Sequence, residues 1–507
     1  MAHCFVGLPL DDDGKAIKTY LRSASGKKVR QVLWGDWLNV DGEEPDGRLR
    51  IIWAPKGPKP QTLYIPKAHT TDTRPLEIVF LDVGQGDGAV LISPERGSRE
   101  AVMVIDAGES EKMYDFLKQR FRSYKENFRF HAAILTHSDS DHYGGFEYIF
   151  ASPSYGFDHV YHNGLLERPE PDSWKKLGRS VDDPQLGRTV QCDLVETTAD
   201  IERLFGPDAD IGSFRLPKVM RRALENPHIS DFSMLSSKHG VEEDGRVWLP
   251  GFAPSDNRGY AIEILAPVPE TASDGTLCLR RLGSSGETKN GHSVVLRLHF
   301  KSFKILFGGD LNEKAEKYLL THYTGRTQMP KSGTPAYDKM IEEARHWFEA
   351  DLMKVCHHGS EKVTDAFIEA VNPAAFVISS GDEEGHVHPR PDLLGRLGKL
   401  GRGASPVILS TELQRSVRET ADVDLLRTLV NRIMSLHAKP SEVLRDKIIA
   451  EMEVLGQSNV TVYGTIYVKT DGERLMAAFR VETTSQTKKW FTFDYAFDAE
   501  GALQIIR

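Results

Sequence analysis

Thr136-His137-Ser138-Asp139-Ser140-Asp141-His142-Tyr143-Gly144-Gly145 follows a short apolar run, Ala132 to Leu135, whose composition predicts a buried strand. After the two glycines comes an aromatic-rich segment that predicts the start of a helix. The stretch therefore sets ligand-type side chains on one strand-to-helix turn, which can aim imidazoles and carboxylates at a common point. A mixed His/Asp cluster suits zinc, manganese or non-haem iron rather than calcium, because imidazole is present. The bland alternative is a polar surface turn, since Asp and Ser are common there. Against it stands the repulsion between neighbouring carboxylates, which calls for a compensating cation.

The stretch resembles the first metal motif of the metallo-β-lactamase superfamily, written H-x-H-x-D-H, with Asp139 where that motif has its second His. The departure resembles one branch, the soluble domain of ComEC-type competence proteins and its stand-alone relatives. Further on, Leu81-Asp82-Val83-Gly84-Gln85-Gly86-Asp87-Gly88 matches the opening hairpin of that branch. Gly291-His292 at a strand start, and Gly309-Asp310 at the end of the next strand, match two later superfamily elements. Lys354-Val355-Cys356-His357-His358-Gly359-Ser360 resembles the branch's His-pair signature. Gly385-His386-Val387-His388-Pro389 resembles its Gly-His-Pro element; His386 and His388 both qualify, and His388 is favoured because it directly precedes Pro389.

The resemblance implies an α/β fold, the four-layer αββα sandwich, and two divalent ions, zinc or manganese. It implies a first site of His137, Asp139 and His292, and a second of Asp141, His142 and one of His357 or His358, with His357 taken as the ligand. Asp310 would bridge, and Asp106 would support a ligand from behind. Asp141, His358 and His388 are the candidates for catalytic work. The leftover His of the pair, or His388, would protonate a leaving oxygen or bind phosphate. Two such ions clamp a phosphodiester and make water nucleophilic at neutral pH. The branch implies a nuclease acting on DNA. The alternatives are hydrolysis of a small phosphodiester or cyclic nucleotide, and a non-catalytic binding or scaffold protein.

The rest of the chain bounds these readings. Its 507 residues suffice for two or three domains. No apolar run approaches membrane-helix length and the N-terminus has no signal-peptide pattern, so a cytoplasmic protein without a membrane partner is expected. The four Cys are scattered, which argues for a reducing compartment and against a Cys-type zinc site. A formal net charge of −9 leaves nucleic-acid contact to local basic patches or to the ions.

Residues 1–75 predict a small β-rich module, loosely resembling bacterial SH3-like modules and offering a place for protein partners, or else a β-extension packed on the main domain. The metallohydrolase domain is expected over 76–403, with an irregular Pro/Gly-rich lid insertion at about 150–290. Residues 404–507 predict helices broken near Pro440, then strands that complete or extend the main domain.

Overall fold

The structure is a computed structural model that describes residues 2–53, 59–84, 86–121, 129–381, 388–403, 406–411, 423–448, 464–481, 483–499 and 501–506. Two large sheets face each other. One has the strand order 232–234, 156–162, 129–135, 102–107, 88–92, 76–80, 466–470, 474–480, 490–497, 503–505. The other runs 241–243, 246–248, 260–266, 295–300, 303–307, 352–354, 375–378, 407–410.

The alternation of side chains along these strands explains why two layers of helix are needed. In Leu76–Phe80, Ile78 and Phe80 point into the core between the sheets, with Leu91, Ile105 and Ile134 beside them and Ile264, Leu296, Leu298 and Phe307 opposite. Val79, like Val90, Val104 and Ala133, points the other way and is covered by helices 112–120, 146–150, 198–205 and 215–225. On the second sheet, Val295, Leu306 and Met353 face outward onto helices 313–323, 335–348, 365–371 and 391–400. Strands apolar on both faces need cover on both sides, and the result is the four-layer αββα sandwich.

The N-terminal β-rich module is present: a seven-stranded antiparallel sheet with its own core of Val6, Leu21, Ile51, Leu63 and Ile65. At the other end of the chain, Ile466–Thr470 pairs antiparallel with Leu76–Phe80, and the next three strands widen that sheet.

The stretch 150–290, expected to be an irregular lid, is largely regular. Its helices 198–205 and 215–225 pack on the outer face of the first sheet, and strands 156–162 and 260–266 belong to the two large sheets. A small separate sheet forms from 180–183, 188–191, 277–280 and 270–271. The apolar residues of the helices, such as Ile201, Leu216 and Met220, are what the Pro/Gly content concealed. The basic pairs have local duties. Arg221 donates to the carbonyls of Phe205, Gly206 and Ala209, and Arg280 pairs with Glu270 at 2.7 Å.

The parallel segments decide where chemistry can occur. Strands 102–107, 129–135 and 156–162 run parallel in one sheet, and 303–307, 352–354 and 375–378 in the other. Asp106, the His137–His142 loop, Asp310 and the His357-His358 turn all lie at the carboxyl ends of these strands, where α/β folds gather their ligands.

Candidate metal centre

The strand 129–135 ends on Leu135, and the chain turns at once into Thr136. Asp106 fixes that turn by accepting from the Thr136 amide at 2.8 Å and its hydroxyl at 2.7 Å. The opening hairpin clamps the same loop from the far side. Gly86 has φ +108, and a Cβ there would lie 1.6 Å from the Asp141 carbonyl oxygen, so no other residue lets the two backbones meet.

Four side chains converge. His142 Nε2 lies 3.3 Å from His358 Nε2 and 3.3 Å from Asp310 Oδ1. His358 Nε2 lies 3.3 Å from Asp310 Oδ2 and 3.5 Å from Asp141 Oδ2. His142, His358 and Asp310 are buried. Each imidazole is held from behind. His142 Nδ1 meets Asp106 Oδ2 at 2.7 Å, and His358 Nδ1 meets Asp87 Oδ1 at 3.2 Å and the Ser379 carbonyl at 3.1 Å. Asp87 also belongs to the buried group, its ligand atom within 4.8 Å of those of His142, Asp310 and His358. It faces the back of His358, however, and it is tied to the buried ammonium of Lys354, so it orients a ligand rather than serving as one.

The electrostatics of the cluster call for positive charge. Burial works against a charge on His142, yet Asp310 and Asp106 raise its pKa well above the ordinary imidazole value. Burial likewise opposes a charge on His358, and Asp310 and Asp87 overcome it. Burial would raise the Asp141 carboxyl, but His358 and His142 hold it well below the usual carboxylate range. His137 Nε2 is buried with no hydrogen-bond partner, and Asp310 Oδ1 has only its ion-pair contact with His142. Orphaned acceptors and imidazoles at one point are what a divalent cation satisfies, with protons released as it binds. The donor set of two imidazoles and two carboxylates fits zinc or manganese.

The other expected site residues are placed as follows. His137 is buried, with Nδ1 near Thr136 Oγ1 and Ser293 Oγ, and its ring is 4.1 Å from that of His142. Asp139 stands beside it, Oδ2 3.6 Å from His137 Nε2. Asp139 is also held by Lys289, whose ammonium contacts Oδ1, and, with the Asn290 amide turned so that its nitrogen faces the carboxylate, by Asn290 at 2.7 Å from Oδ2. Burial would raise the Asp139 carboxyl, but His137 and Lys289 keep it at about 2.

His292, expected in the first site, is turned away. Its Nε2 lies 2.8 Å from the Arg280 carbonyl, and its own carbonyl accepts from Asn163. The strand begins one residue out of step with that expectation. Ser293, rather than His292, faces His137 and accepts from the Asp310 amide at 3.0 Å. The His pair also divides differently from the expectation. His358 stands at the convergence, while His357, taken as the ligand, lies beside His388, ring centroids 6.2 Å apart. His357 and His358 both have positive φ, 49° and 52°, and this double twist turns the second ring inward. His386 lies outside the described residues.

Sequence reasoning left Asp87 without a ligand-orienting role and did not single out Lys354, Ser293 or Lys289. A lysine inside the apolar run Leu352-Met353-Lys354-Val355 was the available signal for one of them, because a buried ammonium needs a carboxylate partner.

The profile of the metallo-beta-lactamase superfamily matches residues 89–381, more than half of the chain. The protein belongs to the metallo-β-lactamase superfamily. No curated protein matches the chain significantly. Among solved structures, it is similar to Tm1679, a metal-dependent hydrolase of the β-lactamase superfamily, at 10% identity and TM-score 0.30, covering 66% of this chain and 95% of that one. It is similar to Zn(2+)-bound PqqB from Methylobacterium extorquens at 9% identity and TM-score 0.30, covering 66% and 97%. It is also similar to MEM-A1, a subclass B3 metallo-beta-lactamase from a soil metagenome library, at 13% identity and TM-score 0.24, covering 55% and 76%. Among the described residues, no helix is long and apolar enough to cross a membrane.

Proposed function

We propose that this superfamily member is a metal-dependent phosphodiester hydrolase acting on nucleic acid, DNA in the first instance. The observation that carries the reading is the convergence of His142, His358 and Asp310, whose ligand atoms lie 3.3 Å apart, with Asp141 3.5 Å from His358. A divalent ion held there, zinc or manganese, supplies an electrophile for a phosphoryl oxygen and lowers the pKa of water. The chain's own groups do the rest. Asp106 and Asp87 fix the two imidazoles so that their Nε2 atoms face one point. His357, beside His388 and half-buried, is the imidazole left to move a proton at the leaving oxygen.

The choice of substrate rests on two supports. The carboxylate content of the centre favours a hard divalent ion such as manganese, which takes phosphoryl oxygens as ligands, and the Asp82–Gly88 and Lys354–Ser360 stretches resemble ComEC-type domains. The deciding assay offers purified protein single- and double-stranded DNA, RNA and cyclic nucleotides, with manganese or zinc and with a chelator control. Metal-dependent cleavage of DNA is expected. A fully loaded protein that cleaves no phosphodiester would overturn the reading, and turnover of cyclic nucleotides alone would move it to a small-molecule phosphodiesterase.

A further inference from the structure

The superfamily pattern supplies two ligand sets, but in this chain they are not equivalent. Helix Ser285–Gly291 is anchored at its start, where Ser284 and Glu287 cap each other. It is anchored again where Asn312 donates to the Glu287 carbonyl at 2.8 Å. Its last turn therefore delivers Lys289 and Asn290 to a fixed place, the carboxylate of Asp139. Oδ1 of that carboxylate is engaged by the Lys289 ammonium, and Oδ2 by Asn290 once its amide is turned to present the nitrogen. The ammonium is itself held by Glu167 Oε1 at 2.9 Å and the Ser138 carbonyl at 3.4 Å, and its side chain is only 13% exposed. His292, which would complete the first set, bonds the Arg280 carbonyl instead. That leaves His137, since Asp310 contacts His142 and His358, short of the three protein ligands a catalytic ion needs.

We infer that Lys289 is the resident cation of the first ligand set. It neutralises Asp139 in the place a second ion would take, so the centre holds one divalent ion tightly, at Asp141, His142, Asp310 and His358. The inference rests on the metal reading above and departs from the two-ion centre that the superfamily motifs implied. Lysine does this work as a compact charge with three donors, matched here by Asp139, Glu167 and the Ser138 carbonyl.

Metal counting tests it independently of turnover. Metal-stripped full-length protein is titrated with zinc or manganese, and bound ions are counted by elemental analysis after desalting, with affinities from calorimetry. Wild type should retain one ion. Lys289→Met frees Asp139, and a second ion should then bind at least about tenfold more tightly than in wild type. Asp139→Asn should still hold one ion, its affinity within about threefold of wild type, because Asp139 is not a ligand of the tight site. Two tight ions in wild type, a Lys289→Met protein with no gain at a second site, or loss of the ion in Asp139→Asn would each overturn the assignment. Wild type that retains no ion would overturn the metal reading itself. Should Lys289→Met fail to fold, the wild-type and Asp139→Asn counts still decide.

Discussion

His142 and His137 leave the same loop five residues apart, both buried, and their surroundings differ at every point. Behind His142 stands Asp106, and facing it are Asp310 and His358 from the opposite sheet. Behind His137 stand two hydroxyls, Thr136 and Ser293, and facing it is a carboxylate already claimed by Lys289 and Asn290. One set has charged support and converging ligands, while the other has neutral support and a satisfied acid. Superfamily motifs thus specify where ligands leave the strands, and the partners packed behind and beside them determine what each ligand can still bind.

The largest expected effect comes from removing the group that the better-supported set cannot replace. Asp310→Asn should lower turnover at least about a thousandfold and empty the site, as read by kinetics and metal content, whereas Asp139→Asn should cost far less. Equal losses in the two variants would erase the asymmetry.

Proton competition should come next. In the absence of an ion His142 and His358 have raised pKa values, so they carry protons that an ion must displace. Ion affinity should therefore rise with pH through the neutral range, by up to about a hundredfold per unit while both rings remain protonated. A flat affinity between pH 6 and 8, measured in a non-chelating buffer, would show that the rings are neutral beforehand.

The supporting carboxylates give a finer test. Asp106→Asn and Asp87→Asn should each weaken the ion by about 10–100-fold while leaving it bound. Asp87→Asn should also destabilise the fold by on the order of 3 kcal/mol in denaturant titration, because it strips the buried Lys354 of its partner. If Asp87→Asn left both metal affinity and stability unchanged, its placement behind His358 would be wrong.

The smallest effect is expected at His292. His292→Ala should leave metal content and turnover near wild type and cost about 1–2 kcal/mol of stability, from a buried ring and its bond to the Arg280 carbonyl. Loss of an ion in this variant would return His292 to the first set.

These residues also show what the sequence could reveal. The loop Thr136–Gly145, Gly309-Asp310 and the His pair stand out because ligand-type residues follow apolar strands, and strand ends are where such residues can meet. The sandwich itself was legible through the superfamily motifs. Which nitrogen faces the centre was not legible, since it turns on a one-residue offset at Ser293 and on positive φ at His357 and His358. Residues 150–290 misled because turn-rich composition hid two amphipathic helices and several short strands. Lys289 gave no local signal; its meaning comes from an acid 150 positions earlier, brought near by the two facing sheets.

The strand Ile466–Thr470 has one more implication. It flanks Leu76–Phe80, whose continuation leads into the turn that carries Asp87, and Lys469 reaches Glu77 across 392 positions. During synthesis one edge of strand 76–80 thus stays open until residues 466–470 have been made. Closing so long a loop is slow, and an open edge invites pairing with other chains meanwhile. The support behind His358 is therefore among the last features to be secured, and a chain released early would carry the motifs of a hydrolase without the framework that aims them.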